Sequence, residues 1–194
     1  DRVDDAINFV RSHVRPLALY VFSDENAVVD KVLDKTISGG GIVMDNGPHA
    51  IDLIRYLFGD IKNVSAQLTR MQNIDVEDTA RLNLVLESGA AGTVDISWST
   101  PVPSVHYLEI YGMEGTALLD LSGFSYKFKT WHEFKRVPNT LNSKEAFARQ
   151  IDHFVRAVKN NTPTVVHNND GLEAQKIIER AYNPVKEADY VKNY

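Results

Sequence analysis

The spacing of hydrophobic positions changes twice along this chain. In SGGGIVMDNGPHAIDLIRYLFG (Ser38 to Gly59), Ile51, Ile54, Leu57 and Phe58 recur at helical steps, which predicts a helix with those side chains toward a core. Asp45 suits its N-cap, Pro48 falls in the first turn where a missing N–H costs nothing, and Gly59 ends it. The period then becomes two. Val64, Ala66 and Leu68, then Leu82, Leu84 and Leu86, then Val94, Ile96 and Trp98 alternate with polar neighbours. Further strands are predicted at His106 to Tyr111, Thr116 to Leu121 and Phe124 to Trp131, separated by glycines and prolines. Short links favour antiparallel pairing. The helical period returns in Lys144 to Asn160, with Phe147, Ile151, Phe154, Val155 and Val158 on one stripe, and in Leu172 to Tyr182, where Asn169 or Asp170 could cap. Both helices are expected to cover the sheet. Ahead of the glycines, Ala6 to Val14 alternates as a strand and Val28 to Ile37 reads as a short amphipathic helix. The expected class is α+β: an open, mostly antiparallel sheet with helices packed on one face.

Composition narrows the possible functions. The 194 residues are 43% hydrophobic and 24% charged, enough for one sizeable domain. A net charge of −5 without any Lys/Arg block argues against nucleic acid and against an anionic membrane as partners. The absence of cysteine excludes disulfides, thiol catalysis and thiolate metal sites, and fits a reducing cytoplasm. No apolar run is long enough to suggest a membrane span or a signal peptide.

The helix predicted after the glycines has a second stripe. Asp45, His49, Asp52 and Tyr56 follow one another at steps of four, three and four, so one face presents a row of titratable groups. Taken singly, each is more often a cap or part of a wet face. Together, two acids flank one histidine directly behind three glycines, which let backbone or ligand approach closely. His106, His132, His153 and His167 show no spacing that suggests metal ligation, and no metal is assigned.

This segment resembles the G-G-G-x-x-x-D-x-G-x-H-x-x-D motif of the Gfo/Idh/MocA family of NAD(P)-dependent oxidoreductases, at the start of their C-terminal domain. VEDTARLNLVLESGAAGTVDISWST (Val76 to Thr100) is similar to that family's acidic-Asp-Thr strand and Gly-centred hairpin. YLEIYGMEGTALLDL (Tyr107 to Leu121) is similar to its next strand pair, and Ala148 to Tyr182 to its closing helices. The resemblance covers nearly the whole chain. It implies a substrate-binding and oligomerisation domain, residues 1–194, of an enzyme that passes hydride between NAD or NADP and a hydroxyl of a sugar, inositol or related polyol. It also implies a homo-oligomer built through the open sheet face, where Tyr107, Glu109 and Tyr111 lie.

Oxidising a secondary alcohol needs a base within hydrogen-bond reach of the hydroxyl, and an imidazole suits that task near neutral pH. His49 is the candidate base, with Asp45 orienting the ring or the substrate. Asp52 and Tyr56 are candidate substrate contacts, and Arg15, at the end of the first predicted strand, is another. The resembled enzymes add a lysine from an E-K-P motif and a G-x-G-x-x-G turn, and this sequence has neither. The glycines at 39 to 41 do not replace that turn, since no strand precedes them. The cofactor pocket is therefore expected in an N-terminal Rossmann domain outside this chain, and the chain alone is expected not to turn over. Two other readings fit the residues: a free-standing binding or dimerisation module of the same fold, and a cofactor-independent lyase or hydrolase using Asp45 and His49.

Overall fold

The strands divide between two sheets. β3 (Ala91–Ser97) is an edge strand, and the chain after it runs through Pro101 and Pro103, which cannot donate to a ladder. The next strand opens a second sheet. The computed structural model describes residues 35–101, 104–120, 122–140, 142–183 and 191–192. The elements in order are α1 (Lys35–Ser38), α2 (Ile42–Asp45), α3 (Gly47–Phe58), β1 (Ile61–Arg70), β2 (Thr79–Leu86), β3, β4 (Leu108–Gly112), β5 (Gly115–Asp120), β6 (Gly123–Phe128), β7 (Lys135–Pro138), α4 (Ser143–Asn160), α5 (Asn168–Tyr182) and β8 (Val191–Lys192). The class is α+β with open antiparallel sheets, as expected, but the strands form two sheets. They belong to two compact units. The expected strand from Ala6 to Val14, most of the helix from Val28 to Ile37, and Arg15 lie outside the described residues.

The first unit holds α1 to α3, α5 and the sheet ordered β3-β2-β1-β8, antiparallel except for the short parallel pairing of β8 with β1. Alternation sets its faces. Ala80, Leu82, Leu84 and Leu86 of β2 are buried, while Arg81, Asn83 and Val85 point outward. The inner face packs with Ile42, Val43 and Ile51 from α2 and α3 and with Ala174, Ile177, Ile178 and Ala181 from α5. Each large aliphatic side chain removed from water here contributes roughly 1.5–3 kcal/mol. On the outer face, Thr79 Oγ1 and Ser97 Oγ share a hydrogen bond of 2.7 Å, and Arg81 pairs with Asp95 at 2.6 Å.

The predicted helix forms unbroken as α3, but a second short helix, α2, precedes it. Gly41 O accepts from Met44 N (3.0 Å) and Asp45 N (3.1 Å), so a helical turn is already under way before Asp45. Asp45 closes α2 instead of capping α3; the residue before α3 is Asn46, whose side chain makes no capping bond. Pro48 does fall in the first turn of α3. Gly59 does end α3: its φ is +90° and its N–H donates to Arg55 O at 2.9 Å. Phe58 departs from the expected core stripe at 37% exposure, because at the last residue of a helix few neighbours remain to cover a ring.

The second unit holds the sheet β4-β5-β6-β7, with antiparallel neighbours throughout, and α4. β6 ends at Phe128 because Lys129 and Thr130 form a turn, and β7, which alternation in the sequence left unmarked, pairs beside it. Phe124 and Tyr126 stack at 5.5 Å, Phe128 meets Trp131 edge-on at 4.9 Å, and the Lys135 ammonium lies over Trp131 at 4.3 Å. The predicted stripe of α4 is present but is not a core face. Phe147, Ile151, Phe154, Val155 and Val158 are 39% to 65% exposed, and the helix buries Ala146 and Ala157 instead. Periodicity identifies a face of a helix, not the surface it meets.

Candidate functional site

The glycine triplet is where the site begins. A Cβ on Gly41 would run into the backbone of Glu77, and one on Gly40 into the Tyr182 ring at 2.9 Å. Glycine is required here so that the protein's own groups can approach. Glu77 is 1% exposed. Its Oε1 accepts from Gly41 N (2.9 Å), Val43 N (3.2 Å) and the Tyr182 hydroxyl (2.6 Å), while its backbone oxygen accepts from Ile42 N (2.9 Å). The neighbouring Asp78, fully buried, accepts from Met71 N (3.0 Å) and Gln72 N (2.6 Å) and closes the turn between β1 and β2. Two consecutive buried carboxylates thus tie down two loops. Sequence reasoning missed both as site-building residues, although two adjacent acids before an alternating strand are the visible signal.

On this buried backbone, Asp45 and His49 are both exposed, at the end of α2 and in the first turn of α3. Asp52 follows one turn later and is partly buried, and Tyr56 is 49% exposed. Burial raises the Asp52 pKa above the ordinary carboxylate value, and the Asp170 carboxylate adds to the rise; Arg55 and His49 pull the other way. Asp52, His49, Arg55 and Asp170 are therefore within electrostatic reach of one another. Asp170 reaches the group from α5, far along the chain, and no spacing in the sequence points to it. It does help cap α5, though from the third helical residue: its Oδ2 accepts from His167 N at 2.7 Å. Arg55 ties the two helices, donating to Asp170 O (3.3 Å) and to Asp60 Oδ1 (2.9 Å). Arg15, the remaining sequence candidate, lies outside the described residues.

This arrangement sets an exposed carboxylate at the end of α2 and an exposed imidazole in the first turn of α3, on an anchored backbone, groups of the kind that can orient a hydroxyl and take its proton. It is not a phosphate cradle. The amides of Gly41 and Val43, which a phosphate would need, are already bound to the Glu77 carboxylate. Among the described residues, no group of three His, Cys, Asp or Glu side chains is arranged to hold a metal ion. The described residues therefore do not fit a nicotinamide dinucleotide at the glycine triplet.

Comparison with known proteins supplies the family. The sequence profile of the GFO/IDH/MocA C-terminal domain matches residues 15–118, more than half of the chain. The chain belongs to this family. It is 28% identical over 160 residues to the Bacillus subtilis protein named uncharacterized oxidoreductase YrbE, covering 77% of this chain and 47% of that protein. It is 25% identical over 165 residues to D-apiose dehydrogenase of Rhizobium rhizogenes, covering 73% and 45%. It thus spans about half the length of these relatives. A stretch of 38 residues is 55% identical to mouse aldehyde dehydrogenase family 3 member A2, but covers 20% of this chain and 8% of that protein, too little to assign a family. Levoglucosan dehydrogenase in complex with NADH superposes with a TM-score of 0.70 at 20% identity, covering 77% of this chain and 49% of that one, and so shares the fold. Among the described residues, no helix is long and apolar enough to cross a membrane.

Proposed function

We propose that this chain is the substrate-side domain of an NAD(P)-dependent oxidoreductase that acts on a hydroxyl of a sugar or related polyol. The observation that carries the reading is the placement of Asp45 and His49, both open to solvent on a turn whose backbone is buried and fixed by Glu77. Family membership and sugar-oxidising relatives such as D-apiose dehydrogenase support it. His49 takes the proton of the reacting hydroxyl. Asp45 holds either that hydroxyl or the imidazole in line. Asp52 and Tyr56 contact neighbouring hydroxyls of the substrate. A nicotinamide cofactor, when bound, would supply the hydride acceptor; the glycine triplet, whose amides Glu77 occupies, would not hold it. Tyr107, Glu109 and Tyr111, the expected interface residues, lie on the β4–β7 sheet, while the outward face of the β1–β3 sheet, with its exposed Arg81 and Asp95, is proposed as the surface through which copies of the chain associate.

The test is reduction of NAD+ and NADP+ by the full-length protein against a panel containing D-apiose, levoglucosan, inositols and linear polyols. Wild type is expected to reduce one of the two cofactors with at least one member of the panel. Asp45→Asn should raise KM for that polyol and lower kcat together, because it removes an orienting contact made in the bound state and strengthened in the transition state. Equal kinetics in wild type and Asp45→Asn would remove Asp45 from the site.

A further inference from the structure

One residue holds three consecutive amides of the turn that leads to the candidate site. Glu77 binds Gly41 and Val43 through its side chain and Ile42 through its backbone oxygen. Gly41 O in turn accepts from Asp45 N, and Ile42 O from Asn46 N at 2.8 Å, so the grip is passed directly to Asp45 and to the first turn of α3 that carries His49. Three donors, two backbone amides and one phenol hydroxyl, converge on a single buried oxygen, Oε1. Burying a polar side chain is costly unless such hydrogen bonds offset it. A fold that merely needed a filled space could place an apolar residue here. What the carboxylate adds is a fixed position for the groups carried on the turn.

We propose that Glu77, oriented by the Tyr182 hydroxyl, is the positioning residue for the Asp45–His49 face, an inference that rests on the function proposed above. Tyr182 is the more informative partner. It closes α5, the helix that also brings Asp170 beside Asp52, so one helix end fixes the turn from below while its start contributes to the charge of the face.

The test compares Tyr182→Phe, Glu77→Gln and a control core variant, Val94→Ala on β3, in the full-length protein. Two quantities are read: hydrogen exchange at the amides of residues 41 to 45, and kcat against KM for cofactor reduction with a polyol, per mole of folded protein. Exchange at Gly41 and Val43 is expected to rise in both Glu77 and Tyr182 variants and not in the control. In the same two variants kcat should fall by about 10- to 100-fold, the size of effect that a displacement of about 1 Å produces, with KM for the cofactor unchanged. Unaltered exchange overturns the proposal, and so does an unaltered kcat alongside faster exchange. If wild type reduces neither cofactor with any polyol, the proposed function fails instead. Raised exchange at residues 41 to 45 then still supports the anchor, and unaltered exchange overturns it.

Discussion

At Asp52, burial and the Asp170 carboxylate oppose ionisation, while Arg55 and His49 favour it, and the first pair prevails. The folded-state pKa is raised, so the folded chain holds this proton more tightly than the unfolded chain does. Stability therefore falls as pH rises from about the ordinary value of 3.8 through the raised value, and the penalty stays in place at neutral pH. Asp52→Asn removes that penalty. Its melting temperature should exceed wild type at pH 7 and match it near pH 3; a variant no more stable at pH 7 would show that Asp52 is not held against its charge. A group kept ionised at a cost to folding is a common mark of a functional position. At this scale the sequence was partly legible. His49 and Asp52 lie within electrostatic reach of one another on α3, because helical neighbours follow from the count of residues alone, whereas Asp45 ends the helix before it. Asp170 and Glu77 were not legible, since their places depend on how a later helix and a strand return to the first turns.

Among the elements, the start of α4 is the most completely specified by local sequence. Asn142 Oδ1 accepts from Glu145 N at 2.9 Å, and Glu145 Oε2 accepts from Asn142 N at 3.3 Å, a reciprocal capping pair. Asn142→Ala should destabilise the second unit by about 1 kcal/mol. Thermal unfolding followed by helical circular dichroism checks this, and an unchanged transition would mean the cap adds nothing. The same helix shows the limit of reading elements from periodicity. Its apolar stripe was correctly placed, yet Ile151 and Val158 remain 63% and 65% exposed. In α5, by contrast, Ile177 and Ile178 are fully covered by the sheet. The short helix α2 was missed for another reason. Asp before a proline-containing helix is a sound N-cap signal, but here Gly41 starts a turn earlier and uses Asp45 N inside it.

For the whole molecule, the strands of each sheet are joined mostly by tight turns, so their antiparallel order followed from the sequence, while the division into two sheets was not marked by the alternation of residues. The outward face of the first sheet pairs Arg81 with Asp95 while both remain more than half exposed, leaving charge available to a second copy. Sedimentation should give a mass that is a multiple of the 21.8 kDa of the chain, and Arg81→Glu should lower it. A monomer at high concentration would contradict the proposed interface.

The central claim is that His49 takes the proton of an alcohol being oxidised. The most direct measurement is the rate at which wild type and His49→Ala, each as the full-length protein, reduce the nicotinamide cofactor with the polyol that wild type uses best. Removal of a general base is expected to lower kcat by about 10²- to 10⁴-fold. Because His49 is exposed, the melting temperature should stay close to that of wild type. An unimpaired kcat in His49→Ala would contradict the account and leave Asp45 and His49 as surface groups on a well-anchored turn.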